Sequence, residues 1–472
     1  MSLSMCHLSA SALDALLKRG KVYEVGGAVR DRLMTGRSPQ KDRDYLVTGI
    51  PYDELTGILK RHGRVDLVGK SFGVIKFTQL SHTFDITLPR REFSTGVGHA
   101  DFEVDFDPAL PVEVDLSRRD FTINAMAVDV ENETVIDPLG GLKDIERRLL
   151  RMTSPRSFEE DPLRMLRAMQ FAARFGFEIE AETLASLKQQ APLISSVSAE
   201  RIQEEMNKLL EHSDKPSHGF RLMQQTGLLD HLFPELALCV GVTQPGPFHT
   251  YDVFEHIMHT LDAAPKNLRI RLAALFHDIT KPQHRRLVDG GATFYSHEIS
   301  GARIAKRVMS RWRYSRKLTD EVATLVERHM YTHDVTDKGL RRLIRRVGLD
   351  LIFDLLDLRR ADIVGQGKGG TGKDVDEFER RIREELDRKP PFGIADLALS
   401  GLDVMRLRDI PPGPLVGYIL NALLEAVLDD PSQNTVEGLT SLVMAYDLNN
   451  PRVVRSDSEL EMDDESQKET DL

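Results

Sequence analysis

The chain has 472 residues, a net charge of −11, 41% hydrophobic residues and 29% charged residues. That length exceeds one ordinary domain and points to about three, while the composition is that of a soluble globular protein. No apolar run approaches the roughly 20 residues of a membrane-spanning helix, which excludes a membrane partner, and Cys6 and Cys239, far apart, form neither a disulfide framework nor a zinc cluster and imply no disulfide-linked partner.

The first segment, "MSLSMCHLSASALDALLKRG", reads as an amphipathic helix. It lacks the basic region and sustained apolar stretch of a secretion signal, so a cytoplasmic location is expected. Up to about residue 150, short β-branched runs ("KVYEV", "DYLVT", "GVIKFT", "TFDITL", "AMAVDV", "TVIDP") alternate with polar turns and predict strands. Thereafter helical spacing takes over, as in "DPLRMLRAMQFAARFG" with Leu163, Leu166, Met169 and Phe171. Breaks fall at "LFPEL", "GVTQPGPFHT", "GQGKGGTGK" and "RDIPPGP". The expected organisation is α+β: a small mixed α/β head (1–150), an all-α neck (151–240), a helical body (241–455) and an acidic, disordered tail (456–472).

The tail holds eight acidic residues against one lysine and so carries most of the net charge. Basic clusters at "RRLLRM", "RWRYSRK" and "RRLIRR" read either as phosphate-binding patches or as ordinary solvated helix faces.

In "KVYEVGGAVRDRLM" a strand runs into Gly26 and Gly27 ahead of a helix. Glycines there allow a tight turn and close approach of a ligand, and a helix start favours phosphate, although a plain turn reads the same way. In "KDRDYLV", Asp42 and Asp44 share one face of an extended chain and can ligate hard cations; the alternative is a solvated strand edge beside Lys41 and Arg43. Asp85 in "TFDITL" can complete such a site only if its strand is a neighbour. Arg118, Arg119 and Asp120 suit phosphates and sugar hydroxyls, or a capping and salt-bridge arrangement. Asp161 and Arg164, at i and i+3, share a helical face and can present a mixed edge to a nucleobase or simply pair with each other.

The ordered segments "VGGAVRD", "DRDYLV", "RRDFTINAMA", "EDPLRMLRAMQFAARF" and "RIQEEMNKLL" resemble the successive motifs of the class II tRNA nucleotidyltransferase and bacterial poly(A) polymerase family, over roughly residues 20 to 235. The resemblance implies a polymerase β-like head in which Asp42, Asp44 and Asp85 are catalytic. Asp42 and Asp44 would hold Mg²⁺ for in-line phosphoryl transfer. It further implies nucleotide binding by Gly26, Gly27, Arg30, Asp31, Arg118, Arg119, Asp120, Asn124, Asp161, Arg164 and Arg167, with Asp161 and Arg164 reading the base of CTP or ATP. Arg201 and Glu205 would brace the site. The implied partners are the tRNA 3′ end, CTP and ATP. Residues 89–116 resemble the loop associated with switching from C to A addition, and the long basic C-terminal extension of many bacterial poly(A) polymerases has an acidic tail in its place. CCA addition is therefore expected first, A-only addition second and poly(A) synthesis third.

Farther on, His256, His277-Asp278, His297, His329 and Asp362 offer nitrogen and oxygen ligands for a divalent metal, while each histidine alone also reads as a packed or surface residue. The ordered set resembles the HD phosphohydrolase superfamily over about residues 245 to 365. It implies His256, His277, Asp278 and Asp362 as ligands of a metal of open identity, with His297 and His329 as phosphate contacts or second-metal ligands. His259 rivals His256, and Thr280 stands where glycine is common. A phosphohydrolase body with a vestigial RNA-binding head is the alternative reading, and a purely supporting body is another.

Overall fold

A computed structural model describes residues 8–36, 43–66, 73–79, 82–94 and 102–448. Among these, the head is built on a sheet whose strands are β1 (Lys21–Val25), β2 (Asp44–Thr48), β3 (Arg64–Asp66), β4 (Val74–Gln79), β5 (His82–Thr87), β8 (Ala127–Asp129) and β9 (Val135–Ile136). The order is β3-β4-β5-β2-β1-β8-β9, and β2 and β5 run parallel with Asp44 opposite Asp85. The sheet is buried on both faces. Tyr45 and Val47 turn to a core that includes Leu16, Leu55 and Leu59, while Leu46 turns to Val25, Val112 and Leu116 on the other side. This alternation sends Asp44 to the face of Leu46, because successive strand residues point opposite ways.

The six expected strands are present, β3 is an addition to them, and a separate two-stranded pair forms within residues 89–116, the stretch that resembles a loop. β6 (Arg90–Ser94) and β7 (Phe102–Phe106) pair antiparallel, Arg90 opposite Phe106. The period-two pattern of "FEVDF" is the local reason. The connection between them, 95–101, lies outside the described residues, as does the acidic tail.

Beyond the head the structure is helical apart from two small two-stranded pairings. One hydrophobic cluster runs without interruption from Phe121 through the Leu163–Phe175 and Ala199–His212 helices to Ile382. Phe233 is its joint, edge-on to Trp312 at 5.0 Å and to Phe276 at 5.5 Å. A separate cluster, Leu397 to Val443, closes the C-terminal helices around Pro414–Asp429.

Candidate functional site

A cleft of about 330 Å³ between the head and the start of the neck is lined by Gly26, Gly27, Arg30, Asp44, Arg118, Arg119, Asp120, Asn124, Asp161, Arg164 and Arg167. These come from four separate sequence segments, and polar groups dominate them. Gly26 ends β1 at φ 80 and precedes the Gly27–Thr35 helix. A Cβ on Gly26 would stand 3.1 Å from Asp44 Oδ2 and 3.4 Å from an Arg119 nitrogen, so the missing side chain keeps carboxylate and guanidinium open toward the cleft.

Arg30 leaves that helix into a nearly dry setting. It donates to Asn124 Oδ1 at 2.7 Å and to Asp31 Oδ1 at 2.8 Å, and it packs over Phe175 and Phe171. Asp31 thus supports Arg30 and is not itself in the cleft lining. Buried Asp115, which sequence reasoning missed, accepts from Arg118 at 2.7 Å and from Arg119 at 3.2 Å. Burial works against the Asp115 charge, but the two guanidinium groups hold its carboxyl below the usual range.

Asp120 takes Arg167 Nε and Nη2 on one oxygen, and Asn124 and the Phe121 N–H on the other. Burial opposes the charge, yet Arg167, Asn124 and Phe121 keep the carboxyl below its ordinary pKa. Arg167 also reaches Glu205, which accepts from Lys208.

Asp161 and Arg164 both line the cleft but do not share a helix face. Asp161 is extended (φ −145, ψ 98), and the helix begins at Leu163. Pro162 is the reason, since the residue before proline is pushed out of helical conformation. Asp161 Oδ2 accepts from Arg201 at 2.8 Å, and the Leu163 N–H donates to Oδ1. Arg164 spends Nη1 on Ser157 and Glu160 and gives one Nη2 bond to the Arg118 carbonyl.

Asp85 meets the condition set for it, lying opposite Asp44 on the adjacent strand, although it is outside the cleft lining and pairs with Lys76 at 3.3 Å. Asp42 lies outside the described residues. Between the two aspartates, Arg43 turns the other way into the protein, 3.6 Å from buried Glu24, which also holds Arg32 at 2.7 Å.

The second centre is far more enclosed. His256, on the Val253–Ala263 helix, approaches Asp278 Oδ2 at 3.0 Å, Asp362 Oδ1 at 3.2 Å and His277 Nε2 at 3.1 Å. The helix of Asp362 can come this near because Gly365 meets Thr260, where a Cβ would lie 2.1 Å from the Thr260 hydroxyl. On the other Asp278 oxygen stand His297 Nε2 at 3.1 Å and His329 Nε2 at 3.7 Å. His277, His297 and His329 each direct Nδ1 to a backbone carbonyl three residues earlier, at 2.8, 2.6 and 2.7 Å. Those bonds fix the tautomer that leaves Nε2 free to ligate.

The expected ligands therefore converge in two adjacent sets, His256–His277–Asp362 and Asp278–His297–His329, with Asp278 also within 3.0 Å of His256. Imidazole nitrogen with carboxylate oxygen suits a first-row divalent metal, and the buried cage fits one. His259 stays outside it, stacked on Tyr251 and 39% exposed. Thr280 is accommodated, because its hydroxyl donates to the His297 carbonyl at 2.7 Å.

Sequence reasoning missed two members. Lys281 Nζ lies 2.6 Å from Asp278 Oδ2, and His249 forms a third ligand set with His256 and Asp278. Burial and Lys281 press the His249 pKa down to about 3, which keeps the ring neutral. A histidine in a proline- and glycine-rich loop just before the His256 helix was the available signal. A cleft of about 660 Å³ opens above the cage, lined among others by His249, Lys281, Arg359 and Asp362, with Phe248 and Tyr295 exposed at its rim.

Residues 22–151 match the family model described as "Poly A polymerase head domain", 176–239 that of "Probable RNA and SrmB- binding site of polymerase A", and 248–364 that of the HD domain. The "Multifunctional CCA protein" of Pasteurella multocida is 32% identical over 422 residues, covering 82% of this chain and 94% of that relative. The chain belongs to the tRNA nucleotidyltransferase and poly(A) polymerase family.

Another relative in this family, the "A-adding tRNA nucleotidyltransferase" of Deinococcus radiodurans, is 35% identical over 340 residues, covering 68% of this chain and 77% of the relative. The crystal structure of the Bacillus stearothermophilus CCA-adding enzyme in complex with CTP aligns with a TM-score of 0.69 at 25% identity, covering 92% of this chain and 95% of that one. The Thermotoga maritima CCA-adding enzyme complexed with tRNA shares the fold, with a TM-score of 0.53 at 22% identity and coverage of 92% and 93%. Like its relatives in this nucleotidyltransferase family, the chain is an enzyme, and among its described residues no helix is long and apolar enough to cross a membrane.

Proposed function

We propose that this chain is a template-independent nucleotidyltransferase that adds CCA, from CTP and ATP, to tRNA 3′ ends in the cytoplasm. The observation that carries this is the single cleft in which Asp44, the Gly26–Gly27 turn, Arg118, Arg119, Asp161 and Arg164 meet. Asp44, with Asp85 opposite it in register, and Asp42 would hold Mg²⁺, and such ions supply an activated 3′-hydroxyl and a neutralised triphosphate. The Gly26 cradle, which a Cβ would fill, and Arg119 across from it suit the triphosphate. Asp115 keeps Arg118 and Arg119 oriented, and Asp120 does the same for Arg167. Asp161 accepts and Arg164 donates, the pair needed to distinguish the hydrogen-bonding edge of C or A from that of G or U. The proposed units are the head, 1–150, neck, 151–240, body, 241–455, and acidic tail, 456–472.

The buried cage favours a second activity for the same chain. We infer a metal-dependent phosphohydrolase in the body, with His256, His277, Asp278 and Asp362 holding one ion and Asp278, His297 and His329 another. Lys281 and Arg359, each bonded to a cage carboxylate, would meet a phosphate there.

Incubation with tRNA lacking its last three, two or one nucleotides, plus CTP, ATP or both and Mg²⁺, tests the main reading. Full CCA restoration is expected. Addition of A alone to tRNA ending in CC would make it an A-adding enzyme, and no incorporation into any of the three would refute nucleotidyl transfer.

A further inference from the structure

The three basic clusters of the sequence have different fates in the fold. In "RRLIRR", Arg341 is buried on Glu385 and the Leu428 carbonyl, while Arg342 and Arg345 are spent on Glu425. In "RRLLRM", Arg151 is held by Asp144 and Arg148 by the Phe175 carbonyl. The arginines named in these two clusters are spent within the fold.

The third is different. Between Arg303 and Lys317 the sequence has seven cations and no acidic residue. They surround the turn between the His297–Arg311 and Arg316–Arg328 helices. Arg316 is 96% exposed, Lys317 87% and Arg313 70%. Among the described residues, Arg311 is the one of these cations held at hydrogen-bond length to a carboxylate, bidentate on Glu235. Lys306, Arg307, Arg313, Arg316 and Lys317 come no nearer than 3.5 Å to an acidic oxygen among the described residues. Those separations exceed hydrogen-bond length, and such exposed pairs contribute little and are readily exchanged for another anion.

The Ala199–His212 helix sets the position of this turn. One face, Glu200, Gln203 and Asn207, carries the turn: Gln203 donates to the Arg313 carbonyl at 3.4 Å, and the Tyr314 hydroxyl donates to Asn207 at 2.6 Å. Arg313 itself is in the left-handed region, φ 61, with Nε 3.8 Å from Glu200. The next face, Arg201 and Glu205, bonds Asp161 and Arg167 in the nucleotide cleft. One helix thus separates the cleft wall from the basic turn, in a chain whose overall charge is negative.

We propose that the Arg313–Lys317 turn is a docking surface for the phosphate backbone of the RNA whose 3′ end enters the cleft. The proposal rests on the nucleotidyl-transfer reading for the identity of the RNA. The turn recognises charge and not sequence, as phosphate contacts do, and its exposed cations steer an anionic duplex toward a chain whose overall charge is negative.

The experiment measures binding of fluorescent tRNA lacking its terminal A to the full chain across a salt series, comparing wild type with R316E/K317E. Binding should weaken roughly tenfold, and the slope of log K against log salt should fall by about 1.5, two contacts at 0.7–0.9 each. The KM for ATP should stay as in wild type while the KM for tRNA rises. R316Q/K317Q, at positions too exposed to matter for packing, should show the same reduction in slope. Affinity and slope within twofold of wild type in both variants would overturn the proposal. If wild type adds no nucleotide, the nucleotidyl-transfer reading fails, whereas the binding series still decides whether the turn holds RNA.

Discussion

Asp120 and Arg167 form a two-pronged pair, with Arg167 Nε and Nη2 at 2.9 and 2.7 Å from one Asp120 oxygen. It joins the start of the neck to the floor of the nucleotide cleft. Because Asp120 is buried and its carboxyl is held low, Asp120→Asn should cost on the order of 3 kcal/mol at neutral pH. The sign with pH follows from the lowered pKa: the stabilisation is present above the unfolded value, about 3.9, and is lost as pH falls through the lower folded value. Urea midpoints from neutral pH down to about pH 2.5 check this. The gap between wild type and variant should begin to close below about pH 4 and narrow steadily as pH falls further, and a constant gap would contradict the linkage.

Asp44→Asn is expected to abolish nucleotide addition, by about 10³-fold or more, with the melting temperature little changed, because Asp44 is a part-exposed residue at a strand end. Phosphohydrolase turnover by the body should be untouched. Loss of both activities together would mean that the two centres are not chemically independent.

Gly26→Ala puts a methyl group between Asp44 and Arg119 at a backbone conformation that alanine resists. The fold should lose upwards of about 1 kcal/mol, while kcat/KM for ATP falls by about 10²-fold. A steady-state comparison with the neighbouring Gly27→Ala, whose new Cβ meets only the Arg30 guanidinium at 3.4 Å, separates crowding of the cleft from general strain.

His297→Ala removes a donor from one half of the cage and leaves His256, His277 and Asp362 in place. Metal content per chain, measured after loading with Mn²⁺ and gel filtration, should drop from about two ions to one. His259→Ala should leave it unchanged, and equal losses in both variants would refute the assignment of His256 over His259.

The sequence made the head strands legible because β1, β2 and β5 are short β-branched runs with clear turns between them. It also made the cleft residues legible because their motifs recur in order. What it hid were partners. Glu24 reads as an outward residue of an alternating strand, yet it is buried between Arg32 and Arg43. Asp115 looks like one more acid in a polar stretch, and only the fold reveals two arginines closing on it. The i, i+3 spacing of Asp161 and Arg164 misled because Pro162 interrupts the helix, and the two converge through a bend instead. His249 escaped notice since a lone histidine in a loop carries no periodicity; its neighbours are set by the packing of the Val253–Ala263 helix against Ile352–Gly365.

The edge-on contact of Phe233 with Trp312 has a consequence for how the chain is made. A ribosome delivers the amino acids in order, at 5–20 per second, so Phe233 waits roughly 4 to 16 s for its tryptophan to be synthesised. Until then the helices that close behind the nucleotide cleft have an open apolar flank. The head sheet, complete by Ile136, has no such debt and can form while the rest is still being translated. The nascent chain should therefore pass through a stage with a finished catalytic sheet and a sticky, half-built neck, the stage at which a chaperone would find it.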